Sequence, residues 1–192
     1  MVRSCLGIRD ALVRRGLVVA VLAGVGVLAL GTSAGAKEVS PRRYAKAVCG
    51  AYQEYGKAHE AYNDAYNALP PDPVGWHTGV QTAAADFVKA IEDQRNKLRK
   101  VWPAVDDGRQ ITKLFVNSFN ELSSSVSDAL EAIQAADPNA ATFANEQATY
   151  ESEIAKLDTE SSDPFAKLKD QDVIRALDAE RSCENVVTVI GG

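Results

Sequence analysis

Five of the six tyrosines fall in one stretch, from Tyr44 to Tyr66, and His59 lies among them. Tyr44, Val48, Tyr52, Tyr55, His59, Tyr62, Tyr66 and Leu69 follow one another at spacings of four, four, three, four, three, four and three. At about 100° per residue these eight positions share an arc of roughly 100° on one helix. Leucine is the ordinary occupant of such an inward stripe. Tyrosine brings a hydroxyl that needs a partner once it is buried. Two chemistries fit the pattern. In the first, the rings pack as a core and the hydroxyls reach the rim or one another. In the second, Tyr52, Tyr55, His59, Tyr62 and Tyr66 line a semi-polar cavity for a small hydrophobic, aromatic or haem-like ligand, which His59 or a tyrosine contacts. Arg95 joins that candidate ligand site. It interrupts the next apolar stripe, and antiparallel pairing of the two helices brings it level with Tyr52. The same pairing brings His59 level with Val88, Leu122 and Ile154. Packing is the simpler reading and the one the sequence favours.

Other chemistries lack their residues. His59-Glu60 begins like a zinc-protease helix, but Asn63 stands where the second histidine ligand is needed. There is no Glu-x-x-His pair for a di-metal carboxylate site. Gly-x-Ser-x-Gly, a phosphate-cradling glycine loop and Cys-x-x-Cys are all missing. Asp106-Asp107-Gly108 and Asp170-Gln171-Asp172 lack the rest of a calcium loop. A helical enzyme with an anionic substrate would need several inward cations, and Arg95 alone is placed inward. Arg99 and Lys100 sit where a helix C-terminus welcomes cations anyway. No metal or cofactor is therefore expected, and enzyme function ranks last.

The N-terminus reads as a secretory signal over residues 1–36. Arg3, Arg9, Arg14 and Arg15 precede a stretch from Gly16 to Ala36 that carries no charge. Ala34-x-Ala36 supplies the small residues of a cleavage motif, so Lys37 becomes the first residue of a mature domain, 37–192. Arg14-Arg15-Gly16-Leu17-Val18 also fits a twin-arginine pattern, but the very apolar core favours the general secretory route. The uncharged stretch is long enough to span a bilayer, and its small-residue end favours cleavage over anchoring. No membrane span is expected after cleavage. Removal takes away four arginines and Asp10, which moves the net charge from −5 to −8. Such an acidic balance argues against a nucleic-acid partner.

Two cysteines remain after cleavage, Cys49 and Cys183. In an oxidising compartment such a pair reads as an intramolecular disulfide.

The elements that must position these residues are helical. Ser40-Pro41 opens the first helix with an N-cap residue and a proline at the first helical position. Pro70-Pro71-Asp72-Pro73 ends it. A second stripe runs through Val80, Ala84, Phe87, Ile91, Leu98 and Trp102 to Pro103. A third holds Ile111, Phe115, Phe119, Leu122, Val126, Leu130 and Ile133. Asp137-Pro138 breaks it and is placed to cap the fourth, which carries Phe143, Gln147, Tyr150, Ile154 and Leu157. A last segment takes Phe165, Leu168, Val173, Ile174 and Leu177 to Cys183. The tail Val186–Ile190 is β-prone; no strand of any length is expected elsewhere.

The fold expected is all-α: an up-down-up-down four-helix bundle with a short fifth C-terminal helix. In that topology the fourth helix ends near the start of the first, which brings Cys183 to Cys49. It also brings Asp170, Asp172, Asp178, Glu180 and Glu184 towards Arg42, Arg43 and Lys46, as a local charge clamp. The function expected is that of an exported, non-enzymatic bundle that binds a protein partner in the envelope or medium. The alternative is a carrier whose ligand sits at the tyrosine stripe.

Overall fold

The structure, a computed structural model, describes residues 35–160 and 163–184. The chain divides into two units, Met1–Thr32 and Ser33–Gly192, and the described residues all belong to the second. The signal segment, apart from its last two residues, and the β-prone tail lie outside them.

The described residues form an all-α unit with one minimal sheet. Helices α1 (Pro41–Asn67), α2 (Pro73–Leu98), α3 (Gly108–Gln134), α4 (Phe143–Glu160) and α5 (Gln171–Asp178) follow one another along the chain. A single 3-10 turn at Arg181–Cys183 comes last. Strand β1 (Lys37–Val39) pairs in parallel with β2 (Val101–Pro103), Lys37 opposite Val101 and Val39 opposite Pro103.

Two helices start by the same device. Ser40 Oγ accepts the N–H of Arg43, with Pro41 at the first helical position. Asp72 accepts the N–H of Gly75 at 2.8 Å, with Pro73 in the equivalent place. The run Pro70–Pro73 therefore both closes α1 and opens α2. Because α2 begins at Pro73, Trp76 joins the stripe four residues before Val80 and is buried.

The other end of α2 differs from the sequence expectation. The helix stops at Leu98, and Trp102 belongs to β2 rather than to a helical stripe. The sheet pins the chain entry to this turn. Lys37 N–H donates to Lys100 O at 2.9 Å, and Ala104 N–H to Val39 O at 2.7 Å. Thr112 of α3 closes the outer side by donating to Val101 O at 3.1 Å. The turn into α3 needs Gly108, because a Cβ there would overlap the Pro103 carbonyl. Neither three-residue strand shows the alternation that marks a strand in sequence. They form because the α2–α3 turn lies beside the start of the domain.

Neighbouring helices pack in chain order, α1 on α2, α2 on α3, and α3 on α4, while α5 and the 3-10 turn pack on α1. His77 holds the start of α2 to the end of α3, its Nε2–H donating to Ile133 O at 2.8 Å. The remaining side of α1 is covered in relay. Its C-terminal half meets α4 through Tyr62 and Tyr66. Phe165 fills the middle against Tyr52. Near its start, Cys49 is joined to Cys183 with Cα atoms 5.0 Å apart, and Gln53 donates to Ser182 O at 2.8 Å. Pairing of the two cysteines is thus as the sequence implied.

The charge clamp takes a weaker form. Arg42, Arg43 and Lys46 make no ion pair within 4.0 Å among the described residues. Glu180 feels Lys46 and Arg42, but its carboxyl is held below the usual range first by Ser182, whose hydroxyl and N–H both donate to it.

Candidate functional site

Every residue of the tyrosine stripe turns inward, with Leu69 just past the end of α1. Tyr44, Val48, Tyr52, Tyr55 and Tyr62 are buried, and His59, Tyr66 and Leu69 are half-buried. They meet phenylalanines spaced along α2 and α3. Tyr52 lies 4.9 Å from Phe119 and 6.3 Å from Phe115, centroid to centroid. Phe87 of α2 is the hub of the next layer. Tyr55, His59 and Tyr62 all stack on it, at 5.8, 5.6 and 5.3 Å. His59 and Tyr55 also stack on each other at 6.1 Å. Offset aromatic contacts of this kind add about 0.5–1.5 kcal/mol each beyond the area they bury.

The hydroxyls of Tyr52, Tyr62 and Tyr66 find partners within the protein. Tyr52 Oη donates to Ser118 Oγ of α3 at 3.4 Å. The hydroxyls of Tyr62 and Tyr150 share a bond of 2.8 Å between α1 and α4. Tyr66 donates to Glu151 Oε1 at 2.5 Å, and Gln147 donates to the same oxygen at 3.1 Å. The Tyr44 hydroxyl lies near Thr112, whose own hydroxyl donates to Val101 O, and makes no bond of good geometry itself.

Burial raises the pKa of Tyr44, Tyr52, Tyr62 and Tyr150 above the ordinary phenol value of 10.0. Tyr66 is raised as well, by burial first and then by the Glu151 carboxylate that accepts its proton.

Arg95 is engaged on α3 and on its own helix. Its guanidinium donates to Asn120 Oδ1 of α3 and to Glu92 Oε1 of its own helix, both at 3.2 Å. Ser118, the partner of Tyr52, is two residues from Asn120 and so about 200° around α3 from it. Tyr52 and Arg95 thus address different faces of that helix. The structure lines up Tyr52, Tyr55, His59, Tyr62 and Tyr66 along one aromatic row and bonds Arg95 to Asn120 and Glu92. Gln94 is the polar residue of this stretch that faces the interior, 6% exposed, and it accepts from Lys97.

Three participants carry no signal in the α1 stripe: Trp76, Ser118 and Glu151. Trp76 contacts Tyr66 at 6.1 Å and Tyr150 at 5.9 Å, edge to face. Its signal was the extension of the α2 stripe one turn towards Pro73. Ser118 and Glu151 are small or charged residues without periodicity of their own, and only the packing of α3 and α4 on α1 assigns them.

No family model matches the chain, and neither a curated protein nor a solved structure matches it.

The Tyr62–Tyr150 pair makes the packing testable. Tyr62→Phe removes one hydroxyl and leaves the other buried without its partner, which costs ~1–3 kcal/mol. Tyr150→Phe should cost as much. The double change removes both polar atoms and should cost less than the two single losses added together, so denaturant melts of the four proteins show positive coupling. Strict additivity would mean that the two hydroxyls do not depend on each other.

Proposed function

We propose that this protein is an exported, non-enzymatic helical module that binds a protein partner in the cell envelope or the extracellular medium. In this reading α1–α4 form an up-down-up-down four-helix bundle and α5 is its short C-terminal helix. The first 36 residues are a signal segment, removed on the general secretory route.

The Cys49–Cys183 pair carries the reading. Disulfides persist in oxidising compartments. This one joins a fully buried residue of α1 to the last turn of the described chain, across a separation of 134 residues. The place where β1 begins supports the cleavage site. Lys37, the residue after Ala34-x-Ala36, is the first residue of β1, and its N–H bonds to Lys100 O. Packing in chain order supports the bundle. Among the described residues Val74 is the large hydrophobic left exposed, at 51%, so the partner is met through polar and acidic groups. The hydroxyls of Tyr52, Tyr62 and Tyr66, satisfied inside the protein, favour a packed stripe over a ligand cavity.

N-terminal sequencing of protein recovered outside the cytoplasm is expected to read Lys37-Glu38-Val39. Met1 or Val2 at that position would overturn cleavage. Exchange of Arg14-Arg15 for Lys-Lys should leave export largely intact. Haem titration of the mature protein should give no saturable Soret shift. A shift that disappears in His59→Ala would establish the carrier alternative instead. Crosslinking in intact cells reads the partner claim, and absence of any protein adduct counts against it.

A further inference from the structure

We propose that Tyr62, Tyr66, Trp76 and Tyr150 form a one-electron donor cluster, with Tyr66 as its outlet and Glu151 as the base that takes the phenolic proton. This needs neither export nor a partner and stands apart from the reading above.

The four side chains close a ring. Tyr62 and Tyr66 have centroids 6.0 Å apart, Tyr66 and Trp76 6.1 Å, and Trp76 and Tyr150 5.9 Å. The hydroxyls of Tyr150 and Tyr62 complete it at 2.8 Å. Phenols and indoles surrender a single electron more readily than aliphatic side chains or phenylalanine, because the electron left unpaired is delocalised over a ring bearing a heteroatom. Rings in contact can pass that vacancy among themselves.

The proton decides where the vacancy rests. A phenol that loses an electron becomes a strong acid, and an unneutralised cation in the interior is costly. Among the described residues, Tyr62 and Tyr150 have only each other's hydroxyl as a proton acceptor, and Tyr52 has only that of Ser118. Neither hydroxyl is a base at neutral pH. Tyr66 donates to a carboxylate at 2.5 Å, held by a second bond from Gln147. Glu151 is exposed, so it exchanges the proton with water. Tyr66 is half-buried and open to a diffusing oxidant, while Trp76, Tyr150 and Tyr62 are 6%, 2% and 4% exposed.

The oxidant class is an oxygen-centred radical. It takes one electron from the Tyr66 phenol and becomes an anion. The proton moves from Tyr66 Oη to Glu151 Oε1. The products are a neutral tyrosyl radical, a Glu151 carboxylic acid and the reduced oxidant.

Photolysis of ruthenium tris-bipyridine with persulfate supplies a one-electron oxidant, and freeze-quench electron paramagnetic resonance reads the radical. Wild-type protein should trap a neutral tyrosyl signal. Tyr66→Phe keeps the ring packing and should lose most of that signal, with indole radical on Trp76 appearing in its place. Glu151→Gln keeps an acceptor but not a base, and should slow tyrosyl formation while circular dichroism and Tm stay near wild type. Tyr52→Phe lies outside the ring and should match wild type in yield and rate. An undiminished tyrosyl signal in Tyr66→Phe, or an unchanged rate in Glu151→Gln, would overturn the assignment.

Discussion

Raising the pH above 10 should unfold this protein steeply, with the core tyrosines ionising only as the chain opens. An ordinary phenol loses its proton near 10.0; burial raises Tyr44, Tyr52 and Tyr150 well above that, and it raises Tyr62 as well. Below pH 10 folded and unfolded chains hold these protons alike, and the phenols contribute no pH dependence. Above it the unfolded chain releases them and the folded chain keeps them, so the folded form binds more protons and stability falls as pH rises. Each such phenol removes about 1.4 kcal/mol per pH unit until its folded pKa is reached. Tyr44, Tyr52 and Tyr150 together remove roughly 4 kcal/mol per unit, a large share of the stability of a marginal domain. Phenolate absorbance and far-ultraviolet circular dichroism should therefore change in one shared transition. Tyr44→Phe, at a position 0% exposed, should make the stability loss with pH shallower. Phenolate absorbance rising with an ordinary midpoint while the helices persist would contradict the burial of these side chains.

Breaking the Cys49–Cys183 bridge is expected to lower stability by ~2–5 kcal/mol, the usual loss when a small domain loses a native disulfide. The loop it closes spans 134 residues, and in the chain-entropy account such a closure is worth ~4–5 kcal/mol. Locally the bridge does more. Near the start of α1, α5 and the 3-10 turn are held by it, by Gln53 donating to Ser182, and by the packing of Val173 and Leu177. Cys49→Ala, Cys183→Ala and the double variant should be equally destabilised, because each removes the same bond. Hydrogen exchange should quicken first in α5 and around Ser182, while α2 and α3 keep their protection. A double variant as stable as the wild type, or loss of protection spread evenly over all helices, would refute this.

The helices were legible because burial imposes a period. Ile111, Phe115, Phe119, Leu122, Val126 and Ile133 had to share a face, and they are buried. The inward course of Tyr44 through Leu69 followed from the same arithmetic, and the pairing of Cys49 with Cys183 from there being two cysteines after residue 36. What the sequence could not supply was contact between elements. Pro73 has the same local chemistry whether it ends α1 or starts α2, and it is the Asp72 cap that extends the α2 stripe back to Trp76. Strands β1 and β2 are too short for a periodicity and exist only because the α2–α3 turn meets Lys37. Arg95 interrupts its stripe at the level of Tyr52, but spacing along one helix does not tell which face of a neighbour a side chain reaches. The sequence by itself determined the inward stripes of the long helices, since those depend on period and polarity along the chain. The tertiary structure decided which hydroxyl meets Ser118, which meets Tyr150 and which meets Glu151, since hydrogen bonds are short and directional and are made between helices.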